Sequence, residues 1–160
     1  RAFASMQVRS IETLSSILNV TEQYNVPIEH SATLNERDYG DYTGKNKWEM
    51  EKLVGHEEFN RMRRSWDYPI PSGESLADVY NRAVPFYLEK ILPAVKAGNN
   101  VLVIAHGNSL RAIVKYIESK SNEEIALIEV PFGAVIIYEL DEEGEMIDKE
   151  TRQTESSVPA

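Results

Sequence analysis

The candidate chemistry of this chain begins at His106. It directly follows Val101-Leu102-Val103-Ile104-Ala105, an unbroken apolar run rich in β-branched residues, and it opens His106-Gly107-Asn108-Ser109. Such a run reads as a strand buried on both faces. Gly107 permits backbone turns closed to other residues and the close approach of a ligand. Asn108 or Ser109 can cap the helix implied by Leu110, Ile113, Val114 and Ile117 at helical spacing. Free N–H groups at a helix start favour an anion, and a histidine there could donate a hydrogen bond to a phosphoryl oxygen. The alternative is a histidine satisfied inside a strand-to-helix turn. The succession of strand, His-Gly-Asn-Ser and helix favours the functional role.

Three further clusters could serve the same anion. Leu34-Asn35-Glu36-Arg37-Asp38-Tyr39-Gly40 is too rich in charge to be core. A carboxylate held beside a guanidinium can move a proton to or from a hydroxyl, although on spacing alone a solvated turn fits equally. Arg9 lies about one turn into the first helical pattern, where a guanidinium can join a helix N-terminus in holding phosphate; a surface arginine is the alternative. Arg61, Arg63 and Arg64 repel one another unless an anion or carboxylate lies between them, so they either bind a ligand or form surface ion pairs. Lys47 adds one more cation. No metal is expected: His56-Glu57-Glu58-Phe59-Asn60 misses the His-Glu-x-x-His zinc pattern at its last position. His30 and His56 read as surface histidines.

The elements that must position these groups follow from periodicity. Ser5 can cap a helix to about Gln23 with the stripe Val8, Ile11, Leu14, Ile17 and Leu18. A short strand over 26–30, a turn-rich segment over 34–44 and helices near 47–54 and 57–66 come next. Ser75, with Asp78 three residues on, forms a capping box for a long helix. Its buried face is Leu76, Val79, Ala83, Tyr87, Ile91 and Val95, and Pro85 and Pro93 should each kink it or interrupt its hydrogen bonds. After the strand at 101–105 and the helix beyond it come a strand at 134–140, a turn at 141–144 and a weaker strand at 145–149. Strands alternating with helices imply an α/β fold with a largely parallel sheet, and ligands sit at the C-terminal ends of such strands.

Bulk properties narrow the classes. With 160 residues, 42% of them hydrophobic, the chain can build one core. A single domain over 1–150 and a frayed tail over 151–160 are expected. There is no cysteine, which excludes disulfides and thiol chemistry. A net charge of −9 argues against nucleic acid as a partner. No apolar run approaches the ~20 residues that span a bilayer, so no membrane partner is expected.

Taken together, the clusters resemble the phosphoglycerate mutases that use 2,3-bisphosphoglycerate, members of the histidine phosphatase superfamily. The resemblance rests on Leu34-Asn35-Glu36-Arg37-Asp38-Tyr39-Gly40-Asp41, Arg63-Arg64-Ser65-Trp66, Pro71-Ser72-Gly73-Glu74-Ser75-Leu76 and Ala105-His106-Gly107-Asn108-Ser109-Leu110-Arg111, in that order, and runs from about residue 3 to 149. It implies a three-layer α/β/α sandwich with a mostly parallel central sheet. It also implies interconversion of 3- and 2-phosphoglycerate in glycolysis and gluconeogenesis, with 2,3-bisphosphoglycerate as cofactor, no metal, a cytoplasmic location and a dimer or tetramer. Glu36 would move the proton of the substrate hydroxyl, and His106 would stabilise the phosphoryl group in flight. Arg9, Glu36, Arg37, Asp38, Tyr39, Lys47, Arg63, Arg64, Gly107 and Asn108 would bind the phosphates and carboxylate.

Three departures accompany the resemblance. Ser5-Met6-Gln7-Val8-Arg9-Ser10 replaces the usual Ser-x-Leu-x-Arg-Ala, and Phe132 stands where threonine is usual before Gly133. The family's nucleophile is the histidine of an Arg-His-Gly motif on an N-terminal strand. This sequence has no such motif, its histidines being 30, 56 and 106. The nucleophile and its strand are therefore expected to lie outside these residues. A bisphosphoglycerate mutase or phosphatase, or a broader histidine phosphatase, is the nearest alternative. A non-catalytic phosphate-binding relative is the alternative from another class.

Overall fold

A computed structural model describes residues 1–153. Its centre is a strand that periodicity did not reveal. Strand β1 (Ala2–Ser5) pairs in parallel with β2 (Ile28–Ser31) on one side and with β3 (Leu102–Ile104) on the other. All four residues of β1 are fully buried. Alternation sends Ala2 and Ala4 to one face, where they meet Leu14 and Leu18 of α1 (Val8–Val20). Phe3 goes to the other face, where it meets Val79, Ala83 and Ile113. Those last residues belong to α4 (Leu76–Phe86) and α6 (Gly107–Ile117), which pack on each other. The three layers are thus α1, the parallel sheet, and the α4–α6 pair.

Ser5 ends β1 instead of capping a helix, and α1 starts three residues later behind Gln7, which makes no side-chain cap. Val8 and Ile11, expected on the buried stripe, are exposed, and Ser10 is buried in their place. Small Ser10 lets the helix approach the sheet, and its hydroxyl donates to Ile104 O at 2.8 Å.

The capping box at Ser75 and Asp78 forms as expected. The two prolines interrupt the α-helical hydrogen bonding of the helix that follows, as expected, without ending it. A π-helical stretch at Tyr87–Ile91 lies between them, and α5 (Leu92–Lys96) continues beyond it. Proline lacks the N–H that an α-turn needs, and wider i→i+5 bonding accommodates the change in register.

α2 (Lys47–Val54) and α3 (His56–Arg64) enclose a satellite cluster of Met50, Phe59, Met62 and Ile70. β4 (Ala134–Leu140) and β5 (Met146–Gln153) form an antiparallel hairpin whose Ile136 and Tyr138 pack toward Leu76 and Val114. Thr151, Arg152 and Gln153, expected in a frayed tail, pair with Ile136, Val135 and Ala134. The rest of that expected tail lies outside the described residues.

β3 is only half-buried, against the expectation of burial on both faces. Among the described residues its second edge pairs with no strand, and β4 pairs only with β5. His106 stands directly at the C-terminal end of that open-edged strand.

Candidate active site

The loop carrying Glu36 is held by backbone and by a half-buried ion pair. Asp41 N–H donates to Pro71 O and Glu74 N–H to Asp38 O, which seams the 38–41 loop to the 71–74 loop. Gly40 (φ +48°) and Gly73 lie at this crossing. A Cβ on Gly40 would come within 2.1 Å of Pro71 O, and one on Gly73 within 2.7 Å of Asp38 O.

Arg82, on α4, pins the same loop from below. It donates to the carbonyls of Thr33, Asn35 and Glu36 and forms a two-pronged bond to the Glu74 carboxylate at 2.6 and 2.9 Å. Glu74 in turn accepts from Asp38 N–H. Burial alone would raise the Glu74 carboxyl, but the bonds from Arg82 and Asp38 outweigh it and hold it below its ordinary value.

Replacing Arg82 by Met strands a half-buried carboxylate and three carbonyls. We expect a loss of about 2–3 kcal/mol at pH 7, near the low end for a broken buried pair because both side chains retain some solvent. A depressed carboxyl pKa stabilises the fold above the unfolded value and stops doing so as pH falls through the folded one. The gap between wild type and Arg82→Met should therefore narrow as pH falls through the acidic range where Glu74 protonates. Urea midpoints at two pH values measure it, and equal midpoints at pH 7 would remove Arg82 from this role.

Glu36 reaches from this loop to the start of α6. Its Oε1 accepts from Arg37 N–H at 2.8 Å and from Asn108 N–H at 3.1 Å. The carboxylate thus takes one of the free donors of the helix N-terminus. Gly107 uses no left-handed backbone, contrary to the expectation of special turning freedom; a Cβ there would lie 3.7 Å from Glu36 Oε2. His106, rather than Asn108 or Ser109, is the N-cap of α6, and Ser109 Oγ accepts from His106 N–H.

His106 is buried between two partners. Arg9 Nε–H donates to its Nδ1 at 3.1 Å, and Ser5 Oγ lies 2.7 Å from its Nε2. A guanidinium N–H donates and never accepts, so Nδ1 carries no proton here. The ring is therefore neutral, with its proton on Nε2 directed at Ser5. Burial, then the charge of Arg9, pull the His106 pKa below its ordinary value.

The cleft over these groups has a volume of about 1170 Å³ and is lined by eight basic and four acidic side chains. That excess of cations, in a chain of net charge −9, suits a small anion. Arg9, Glu36, Arg37, Asp38, Tyr39, Lys47, Arg63, Arg64, Gly107 and Asn108 all line it, and His106 reaches it through Arg9.

Their states differ. Arg63 stacks over Phe59 at 5.5 Å and has no carboxylate partner among the described residues, whereas Arg64 is held by Glu129 at 2.6 Å and by Ala126 O. Arg37 is 3% exposed and bonds to Glu74 O and Arg63 O, but its Nη2 is buried with no partner. The Asp38 carboxylate is turned into its own loop, accepting from Gly40 N–H. Asn108 joins Tyr39 OH to Arg111 Nη1.

Sequence reading assigned no role here to Ser5, Glu74, Arg82 or Arg111. Phe132 is fully exposed and does not line the cleft. Among the described residues, no group of three or more His, Asp or Glu could hold a metal, and no helix is long and apolar enough to cross a membrane.

A neutral histidine, a carboxylate at a helix start and a ring of cations at the end of a parallel strand fit a recognised class. It belongs to the histidine phosphatase superfamily (branch 1), whose pattern matches residues 1–151. Within that class it is similar to enzymes of one name. It is 43% identical to the 2,3-bisphosphoglycerate-dependent phosphoglycerate mutase of Nitrobacter winogradskyi over 148 residues, 92% of this chain and 72% of that protein. It is 46% identical to the Cytophaga hutchinsonii enzyme of the same name over 138 residues, 86% of this chain and 64% of that one. Among solved structures, a mycobacterial glucosyl-3-phosphoglycerate phosphatase shares the fold at a TM-score of 0.72 and 16% identity, covering 98% of this chain and 77% of that one.

Proposed function

We propose that this protein interconverts 3- and 2-phosphoglycerate by phosphoryl transfer, as a cytoplasmic step of glycolysis and gluconeogenesis. The observation that carries the reading is the convergence of Glu36, His106 and Arg9 on one cationic cleft, in a chain over 40% identical to enzymes named for that reaction. Glu36 moves the proton of the substrate hydroxyl. Arg9 and His106 face the charge that builds on the transferred group. Transfer of a phosphoryl group needs this positioning and charge stabilisation above all.

The accepting histidine lies outside these 160 residues. The open edge of β3, beside His106, supports a strand bringing it there. The buried donor of Arg37 without a partner, and Arg63 and Lys47 on the lining, fit a ligand with two anionic groups such as 2,3-bisphosphoglycerate. When bound, that cofactor supplies the phosphoryl group that primes the enzyme.

Arg63 and Arg64 should then contribute unequally. Arg63→Ala loses a charge-assisted bond of about 1.5–3 kcal/mol, roughly ten- to hundred-fold in affinity for 3-phosphoglycerate. Arg64→Ala loses less, because its guanidinium is already held by Glu129. Calorimetric titration at two salt concentrations reads both; equal losses would contradict the division.

A phosphatase is the second reading, favoured by a cleft larger than a three-carbon substrate fills. The two separate in one assay on the protein that carries the accepting histidine. With 3-phosphoglycerate, the mutase forms 2-phosphoglycerate at a rate dependent on 2,3-bisphosphoglycerate. Release of inorganic phosphate as the main product would instead establish the phosphatase.

A further inference from the structure

Ser5 is fully buried at the end of β1, yet it is polar and sits against His106. Burying a hydroxyl is costly unless it is hydrogen-bonded. Its position is fixed from several sides. Ser5 N–H donates to Ser10 Oγ at 3.2 Å, Ser10 Oγ–H donates to Ile104 O at 2.8 Å, and Ser5 Oγ accepts from Gln7 N–H at 3.2 Å. These bonds tie β1, α1 and β3 together around the hydroxyl and hold it 2.7 Å from His106 Nε2.

The arrangement sets two demands on the ring, and the hydroxyl can meet both. While Arg9 donates to Nδ1, His106 cannot donate from that nitrogen. To hydrogen-bond a phosphoryl oxygen taking the place of Arg9, Nδ1 must gain a proton. If Nε2 kept its own proton, the result would be an imidazolium with little solvent, facing Arg9 from α1 and Arg82 from α4, with Glu36 from the loop and the phosphoryl group itself opposing them. A hydroxyl both donates and accepts, so it can serve either state of Nε2.

We infer that Ser5 is a positioning residue whose hydroxyl lets His106 exchange its protonated nitrogen: Nε2–H while Arg9 holds Nδ1, and Nδ1–H once a phosphoryl oxygen is bound. In the exchange Nδ1 gains a proton from the medium or the ligand, Nε2 passes its proton to Ser5 Oγ, and Ser5 gives up its former hydroxyl proton to the medium, so that its new O–H donates to Nε2. The ring is neutral before and after. The first state follows from the geometry alone; the second rests on the phosphoryl-site reading.

The test uses the 160-residue chain with ¹⁵N-labelled histidine and inorganic phosphate as the probe. Long-range ¹H–¹⁵N spectra distinguish a bare ring nitrogen from a protonated one. Without phosphate, Nδ1 should be bare and Nε2 protonated; the reverse pattern would overturn the inference. With phosphate at pH 7.5 the two should exchange roles. An unchanged ring, while the Gly107 and Asn108 amides shift, would also overturn it.

In Ser5→Ala the ligand-free ring should keep a bare Nδ1, because Arg9 alone fixes that nitrogen, but phosphate should then bind only with both nitrogens protonated. A phosphate-bound ring with Nδ1 protonated and Nε2 bare in that variant would show that Ser5 has no such role. Arg9 is exposed, so Arg9→Met provides a second variant with little risk to folding. It should free Nδ1 and give a mixture of tautomers without phosphate, and a pattern identical to wild type counts against the inference. If phosphate moves no amide at all, the phosphoryl-site reading fails and the second state with it, while the ligand-free spectra of wild type and Arg9→Met still decide the first.

Discussion

Glu36→Gln, made in a protein that also carries the accepting histidine, should lower kcat by about 10²–10⁴-fold, the usual contribution of a general acid–base group. KM should change little. Gln keeps the oxygen that accepts from Arg37 and Asn108 N–H, so the loop and the start of α6 stay joined. What is lost is the proton that Glu36 gives and takes at the substrate hydroxyl. A fall in kcat without a matching rise in KM marks an interaction made only in the transition state. An unchanged kcat would leave Glu36 as a cap on α6 and remove it from the chemistry.

His106→Ala should cost about 10²–10³-fold in kcat, the range seen when one preorganised donor to a developing charge is removed. Arg9→Ala should cost a comparable amount. The two residues touch at 3.1 Å and would share the same phosphoryl oxygens, so the double variant should lose much less than the product of the single losses. Initial-rate measurements on the three variants give the coupling directly. Fully independent effects would mean that Arg9 and His106 serve different groups and that the shared phosphoryl position is wrong.

The fold was legible where local signals are strong. The Ser75–Asp78 box, the bounds of α2 and the strand at 134–140 follow from capping and periodicity, and all three stand in the structure. Strand β1 was not legible. Four residues of the type Ala-Phe-Ala-Ser carry no alternation and no β-branched side chain, and only the partners at 28–31 and 102–104 make them a strand. The same ambiguity let Ser5 be read as a helix cap, and it placed Val8 and Ile11 on the buried stripe, although of its members these two face outward while Leu14 is buried.

The site divides in a similar way. His106, Glu36 and the arginines announce themselves by residue type and by the elements around them. The groups that hold them do not. Arg82 lies on the polar side of a well-patterned helix and reads there as an ordinary surface arginine. Its bonds to Thr33, Asn35 and Glu36 span 46 to 49 residues of chain. Ser5 and His106 are 101 residues apart. Periodicity reports which face of an element is buried, but not which buried hydroxyl meets which ring. The Arg64–Glu129 pair is hidden for the same reason, and it makes two adjacent arginines unequal in a way their spacing cannot show.

The central claim is that this cleft stabilises a phosphoryl group passing to a histidine that these 160 residues do not contain. Intact mass under alkaline conditions, where phosphohistidine survives, tests it most directly. The 160-residue chain and the same chain extended at its N-terminus by a segment bearing an Arg-His-Gly motif are each incubated with 2,3-bisphosphoglycerate, with circular dichroism confirming that both are folded. One added phosphoryl group on the extended chain alone is the expected result. A labelled 160-residue chain would place the accepting group among His30, His56 and His106 and would contradict the account.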